Sequence, residues 1–345
     1  GRGSLAQLGD LLKPRREAVD GPVVYFVDHF FRDHELIGRL PMEKGDQLHF
    51  VDSSSEPEVT RIDAFKEAVS AADSRTPCCV VGIGGGNALD TAKAVANLLT
   101  NPGKAEDYQG WELVKNPAVY KIGIPTLSGT GSECSRTCVL TNIPKNLKLG
   151  MNSDYTVYDQ LLLDPDLLAT VPRDQYFYTG IDTFMHCVES LQGSYRNAII
   201  DAFSVRAVQL CEEIFLSDDM MSEDNREKMM IASYIGGMAA GNVGVIHPFS
   251  AGLGVVLHVA HGLGNCLALN VLGDIYPKEY KQFRTMIERQ GVNLPTGICK
   301  DLTKEQYEGL YRGCIVHEKP LTNALGPDFK QILTRENLIE RYKSI

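Results

Sequence analysis

The stretch Val81-Gly82-Ile83-Gly84-Gly85-Gly86-Asn87 closes an apolar run that starts at Cys78, and Ala88-Leu89-Asp90-Thr91-Ala92-Lys93-Ala94-Val95-Ala96 follows at once. The first part reads as a buried strand. The second reads as a helix with Ala88, Ala92 and Val95 on one face. Asn87 is placed to cap that helix, and Asp90 in its first turn suits the helix dipole. Glycines ahead of a helix N-terminus let backbone N–H groups approach a phosphate. The spacing is not the fingerprint G-x-G-x-x-G, whose last glycine would fall at Asn87, and no Gly-Lys-Ser/Thr follows to make a P-loop. A tight strand-to-helix turn is the plain reading. Three consecutive glycines are more than a turn needs, and a phosphate cradle accounts for them.

Working outward, residues 23–27 form a β-rich run closed by Asp28, and 48–51 and 120–124 form further runs. Val59, Ile62, Phe65 and Val69 predict a helix over 59–72. Strand, helix, strand order predicts a Rossmann-like parallel sheet with covering helices. A second loop, 125–133, interleaves glycines with Thr126, Ser128, Thr130 and Ser132. It suits a pyrophosphate or ribose, and a surface turn explains it equally well. Two such loops at successive strand ends fit one extended ligand across the sheet edge. Asp28 is either a turn cap or an acceptor for both ribose hydroxyls. In the second role it would repel a 2′-phosphate and favour NAD over NADP.

The chain changes character near Asp164-Pro165 and Val171-Pro172. Helices are expected over 176–191, 199–215 and 225–240, with an exposed acidic loop over 216–225. The expected division is an α/β nucleotide-binding domain over 1–163 and an all-helical domain over 164–345. A length of 345 residues is comfortable for two cores. The net charge of −10 argues against nucleic acid as a partner. An anionic substrate would need local positive charge, to which a divalent cation can contribute. No apolar run is long enough to span a membrane. Nine cysteines without a C-x-x-C pair fit a reducing cytoplasm. The chain opens Gly-Arg-Gly-Ser and its first methionine is Met42, so the natural start is expected upstream.

Within Gly180-Ile181-Asp182-Thr183-Phe184-Met185-His186, Asp182 and His186 project from one helix face. Taken alone, a solvated salt-bridged pair is the more common explanation of this spacing than a metal. His247 and His261 lie in a glycine-rich, almost uncharged stretch, 244–265, and are expected to be buried. A buried imidazole needs partners for both nitrogens. Separate core hydrogen bonds would serve, and one cation would serve all four residues. Such ligands suit Zn²⁺ or Fe²⁺ better than Mg²⁺ or Ca²⁺.

These motifs together resemble the group III, iron-activated alcohol dehydrogenases, which share a fold with dehydroquinate synthase and glycerol dehydrogenase. Gly84-Gly85-Gly86-Asn87-x-x-Asp90-x-x-Lys93 resembles the family's GGGS-x-x-D-x-x-K, with Asn87 in place of serine. Residues 126–133 resemble its T-x-x-GTGSE loop, and Asp164-Pro165 its DP step. Gly180-x-Asp182-x-x-x-His186 matches the motif that supplies two metal ligands. His247 and His261 stand at the spacing of the other two, with Gly262 following. The resemblance runs to about Asn270 and is loose beyond it. It implies a sheet domain followed by a helical metal-binding domain, NAD, one divalent metal on Asp182, His186, His247 and His261, and a homodimer or larger assembly. With the strand-end reading of Asp28, the candidates for the cofactor side are Asp28, Gly84, Gly85, Gly86, Asn87, Asp90, Thr126, Ser128, Thr130, Ser132 and Lys148.

Family members often carry a relay histidine four residues after the third ligand; here that position is Ala251, and His258 is either the candidate replacement or, equally, a packed or solvent-facing histidine. Within the family the chain looks most similar to the branch that oxidises the C8 hydroxyl of the sugar acid 3-deoxy-D-manno-octulosonate (Kdo) on the way to its 8-amino derivative. Arg136, Lys148 and Arg196 are candidates for the sugar carboxylate, although an ordinary surface or cofactor-side charge is the commoner explanation of each. A small-alcohol or diol dehydrogenase is the alternative within the family. A dehydroquinate synthase-like lyase and a non-enzymatic metal-binding protein are the alternatives outside it. The implied reaction removes a hydroxyl proton and passes hydride to the nicotinamide. An alcohol resists deprotonation at neutral pH by roughly nine units, on the order of 12 kcal/mol. A cation lowers such a pKa by a comparable amount, whereas a positioned base contributes about 10²–10⁴-fold. The cation is therefore expected to be the larger contribution.

Overall fold

The apolar run ahead of the three glycines is the middle strand of a five-stranded parallel sheet. The computed structural model describes residues 1–345. The strands are β1 (Val23–Asp28), β2 (Gln47–Val51), β3 (Cys79–Gly84), β5 (Lys121–Pro125) and β8 (Gln160–Leu161), in the order β2-β1-β3-β5-β8. Alternate residues of β1 face opposite sides, as the pleat requires. Val24 and Phe26 join a core with Ile62, Val80, Ala92 and Val95, from α2 (Val59–Ala72), β3 and α3 (Gly86–Leu98). Val23, Tyr25 and Val27 join another with Leu8 and Leu12 of α1 (Leu8–Ala18). Burial on both faces explains the continuous apolar runs. Strand order reverses between β1 and β3, so Asp28 and Gly84 end at the switch point where open α/β sheets bind ligands.

The helix expected over 59–72 is α2, and the expected strands are present within one residue at most ends. A second sheet was not anticipated. Strands β6 (Thr137–Asn142) and β7 (Leu147–Asn152) pair antiparallel, with the short β4 (Gly110–Trp111) beside β7. Only alternate residues of β6 are buried, so no apolar run marks it.

The chain divides into two compact units, Gly1–Leu127 with Ser132–Ala169, and Ser128–Gly131 with Thr170–Ile345. This differs from a single break at 163/164. Asp164 stays with the first unit because its carboxylate accepts from the N–H groups of Gly3 and Leu5, both at 3.0 Å. Residues 128–131 go with the second. There Gly129 N–H donates to Ser233 Oγ (2.8 Å) and its carbonyl accepts from Thr183 Oγ1 (3.0 Å).

The second unit is helical: α4 (Arg173–Gln192), α5 (Ala198–Phe215), α6 (Glu223–Gly237), α7 (Ile246–Leu257), α8 (His261–Val271) and α9 (Pro277–Gln290) are followed by α10 (Lys304–Ile315), α11 (Glu318–Leu325), α12 (Phe329–Ile332) and α13 (Arg335–Lys343). The helix expected to run to 240 stops at the Gly236-Gly237 pair, where helix propensity is low. The expected loop ends sooner too: Asn225 is a buried α6 residue whose amide donates to Ser217 Oγ and the Asp219 carbonyl. Helices α7 and α10 touch backbone to backbone, since a Cβ on Gly313 would lie 2.9 Å from Gly252 Cα. Tyr342 of α13 stacks on Phe249 of α7 with ring centroids 3.9 Å apart, and donates to its carbonyl. The loosely matching end of the chain therefore braces α7. No helix is long and apolar enough to cross a membrane.

Candidate metal centre

Helix α4 places Asp182, His186 and Glu189 on one face, at i, i+4 and i+7, and all three are buried. His247 lies in the first turn of α7 and His261 begins α8. Asp182 Oδ1 is 3.1 Å from His247 Nε2 and 3.7 Å from His186 Nε2, and Oδ2 is 3.5 Å from His261 Nε2. The rings of His186 and His247 stack at 4.5 Å. One ligand atom from each of the four residues falls within 4.8 Å of all the others. A tetrahedral cation with bonds of about 2.1 Å separates its ligands by about 3.4 Å, so the cluster has the right size. Asp182 Oδ2, inside the cluster, is buried with no hydrogen-bond partner. Such an orphan is costly unless something binds it. The residues present thus fit one divalent cation.

Burial raises the Asp182 carboxyl, but His186, His261 and His247 outweigh it and hold the group below the usual carboxylate range. Burial takes His186 down to about 4 against the field of Asp182. Burial also pulls on His247, yet Glu189 and Asp182 flank it and raise it to about 9.

Two participants escaped sequence reasoning. Glu189 Oε2 meets Nδ1 of His247, while Oε1 accepts from Ile246 N at 2.6 Å and Tyr276 Oη at 3.2 Å. Asn265 is buried and its Nδ2 donates to Asp182 Oδ1 at 2.7 Å. Glu189 seven after Asp182, and Asn265 four after His261, carried helical-face spacing that marks both.

In the first unit, Gly84 has φ +153°, and a Cβ there would lie 2.6 Å from Ala88 Cβ and 2.9 Å from Asp28 Cβ. The glycine is thus needed for both conformation and close approach. Gly85 stands at the helix cap with no side chain bonded there, which leaves first-turn N–H groups for a ligand. Asn87 does not cap the helix. The helix starts at Gly86, and the Asn87 amide reaches sideways to the carbonyls of Ser55 (2.8 Å) and Ser53 (3.4 Å). Asp90 accepts from Ser132 Oγ (2.5 Å) and Val139 N (2.9 Å), so it ties chain segments together rather than merely balancing a dipole. Lys93 is fully buried, donates to the carbonyls of Ser132 (2.8 Å) and Thr137, and lies 3.4 Å from Asp90. Thr126 N donates to the Gly84 carbonyl at 2.9 Å. Asp28 accepts from Phe30 N (3.0 Å) and Ser53 Oγ (2.9 Å), both on Oδ1. It therefore caps the turn and leaves Oδ2. Ser128 and Thr130 fall in the second unit, where Ser128 Oγ is buried without a partner.

A model of the iron-containing alcohol dehydrogenase family matches residues 1–165, and the model of that family's C-terminal region matches 176–307. The chain belongs to the iron-containing alcohol dehydrogenase family. It is 34% identical to sulfoacetaldehyde reductase of Bilophila wadsworthia over 220 residues, 62% of this chain and 56% of that protein. It is 29% identical to NAD-dependent methanol dehydrogenase of Bacillus methanolicus over 273 residues, 77% of this chain and 70% of that protein. The match thus spans little more than half of the first relative. The fold is that of sulfoacetaldehyde reductase from Bifidobacterium kashiwanohense, solved with NAD⁺, with TM-score 0.81 and 24% identity over 99% of this chain and 94% of that one.

Not every expected residue joins the centre of this family member. His258 is exposed and left-handed (φ +55°), where it ends α7 and turns the chain toward α8. The relay expected of it has no geometric support. Ala251 is buried one turn after His247. The three candidate cations for a carboxylate are already paired. Arg136 meets Glu112 (2.5 Å) and Asp154 (2.9 Å), Lys148 meets Glu56 (3.0 Å), and Arg196 meets Asp201 (2.8 Å).

Proposed function

We propose that the chain is a metal-dependent, NAD-linked dehydrogenase interconverting a primary alcohol and its aldehyde. The carrying observation is the cluster of Asp182, His186, His247 and His261, in which the buried Asp182 Oδ2 has no hydrogen-bond partner. A divalent cation held there supplies the Lewis acidity that makes an alcohol proton removable near neutral pH. Asp182 is the one carboxylate among the four ligands, so a divalent cation would keep positive charge toward a bound oxygen and favour its anionic form. The side chains of His261 (28% exposed) and His247 (11% exposed) form the open side, so substrate enters past them. In the first unit, Gly84 to Gly86 cradle the pyrophosphate, and Asp28 accepts from the ribose through Oδ2.

The finer assignment is the C8 hydroxyl of Kdo. It rests on the resemblance of 247–258 to that branch and on Ala251, whose small side chain leaves room for a polyol. The named relatives support the alternative of a smaller substrate, as their names carry methanol and sulfoacetaldehyde. Anaerobic NADH formation should be measured with Kdo and with short diols, with metal analysis on the same sample. Turnover of Kdo is expected. Turnover of a diol with no aldehyde from Kdo would replace the substrate, and a metal-loaded chain inert with every alcohol would refute the dehydrogenase reading.

A further inference from the structure

Glu189 is a buried carboxylate on which three donors converge. Oε1 accepts from Ile246 N (2.6 Å) and Tyr276 Oη (3.2 Å), and Tyr276 Oη itself accepts from Val245 N at 3.0 Å. Oε2 is left facing Nδ1 of His247. With Oε1 committed to two donors, the carboxylate has no rotation that would free Oε2. An ionised carboxylate accepts and never donates, so Nδ1 must carry a proton. The coordinating lone pair then belongs to Nε2, the atom 3.1 Å from Asp182 Oδ1 and inside the cluster.

We propose that Glu189 is a positioning residue that fixes the tautomer and direction of the His247 ring for the cation. The inference rests on the metal reading above. An imidazole offers two nitrogens, and the wrong tautomer would aim an N–H at the cation. His247 also arrives from α7 rather than α4, so local helix geometry cannot orient it. Glu189 does so from α4, three residues after His186. One helix thereby supplies two ligands and aims a third. Carboxylate–histidine–metal arrangements act in this way in general, and loss of the outer partner costs roughly 10–100-fold in metal affinity.

The test compares full-length wild type, Glu189→Gln and Asp182→Ala, each loaded with zinc and titrated against a chelator of known affinity. In Glu189→Gln the amide oxygen is drawn to Ile246 N–H, which turns the NH₂ group onto Nδ1 and inverts the tautomer. Zinc affinity is expected to fall roughly 10–100-fold with the fold intact. Wild-type affinity in folded Glu189→Gln, with loss in Asp182→Ala, overturns the positioning role alone. Wild-type affinity in Asp182→Ala removes the metal reading and this inference together. Nitrogen-15 imidazole spectra of the zinc-loaded wild type decide the matter even where Glu189→Gln does not fold. A protonated Nδ1 and a zinc-shifted Nε2 on His247 are expected, and the reverse assignment overturns the proposal.

Discussion

Asp182 on α4 and His247 on α7 are 65 positions apart in the chain and 3.1 Å apart in space, Oδ1 to Nε2. A fully buried carboxylate is kept ionised there by imidazoles rather than by lysine or arginine. Asp182→Asn preserves its volume and removes its charge. Uncompensated loss from such a site is expected to cost on the order of 3–5 kcal/mol, so cation affinity should drop at least about 100-fold. Elemental analysis after dialysis, with circular dichroism to confirm the fold, checks this. Full metal content in the variant would refute it.

The cation-free site should impose a two-sided pH profile. His186 sits at about 4 when folded, so the unfolded chain binds more protons between about 4 and 6.5. Its contribution is complete above that window and is lost as pH falls through it. His247 sits at about 9, so its contribution is complete below about 6.5 and is lost as pH rises through 9. Urea midpoints of cation-free protein should therefore peak between these windows. Loading should abolish the alkaline limb, because the cation replaces a proton on His247. A flat cation-free profile would contradict both assignments.

Asp28→Ala should relax the choice of cofactor. The change removes a negative charge and the acceptor of the Ser53 hydroxyl (2.9 Å). The ratio of kcat/KM with NADP to that with NAD is expected to rise at least about tenfold, near 1.4 kcal/mol. An unchanged ratio would place the ribose elsewhere.

Gly129→Ala should be far worse than Gly3→Ala. Gly129 has φ +147°, and its new Cβ would run into the Thr179 carbonyl of α4. Gly3, at φ +72°, faces open space. Losses on the order of 3 kcal/mol and about 1 kcal/mol are expected, read from thermal or urea unfolding. Since Thr179 is one turn ahead of Asp182, Gly129→Ala should also weaken cation uptake.

Ala251→His tests the substrate. An imidazole at this buried position one turn after His247 would fill space and offer a proton relay. Turnover of a short alcohol is expected to rise, by as much as about 10²-fold if relay was limiting, while Kdo turnover falls. Unchanged activity on both would show that residue 251 lies off the substrate path.

What could be read from the sequence followed the range of the interactions involved. Strands β1 and β3 were legible because both faces are buried and the apolar run is unbroken. Helix α2 showed in the spacing of Val59, Ile62, Phe65 and Val69. The β6–β7 hairpin was hidden because only Cys138, Leu140 and Asn142 point inward along β6. The four candidate ligands were visible as a constellation because two of them share a helix turn. Glu189 and Asn265 share helix faces with Asp182 and His261, but they act on partners 58 and 83 positions away, which that spacing does not name. Asn87 was misread as a cap because the helix starts at Gly86, ahead of it. His258, open in the sequence between a relay and a solvent-facing residue, is the exposed left-handed end of α7, a turn that a lone histidine does not announce.

Lys93 has no exposed surface, and its ammonium is enclosed by the carbonyls of Ser132 and Thr137 and by Asp90. An amine-directed reagent should therefore pass over it while labelling exposed lysines such as Lys145 and Lys330. Label at Lys93 would appear only when the segment from Ser132 to Thr137 lifts away. Mass spectrometry of that one side chain thus offers a clock for the opening of the loop, readable without any turnover assay.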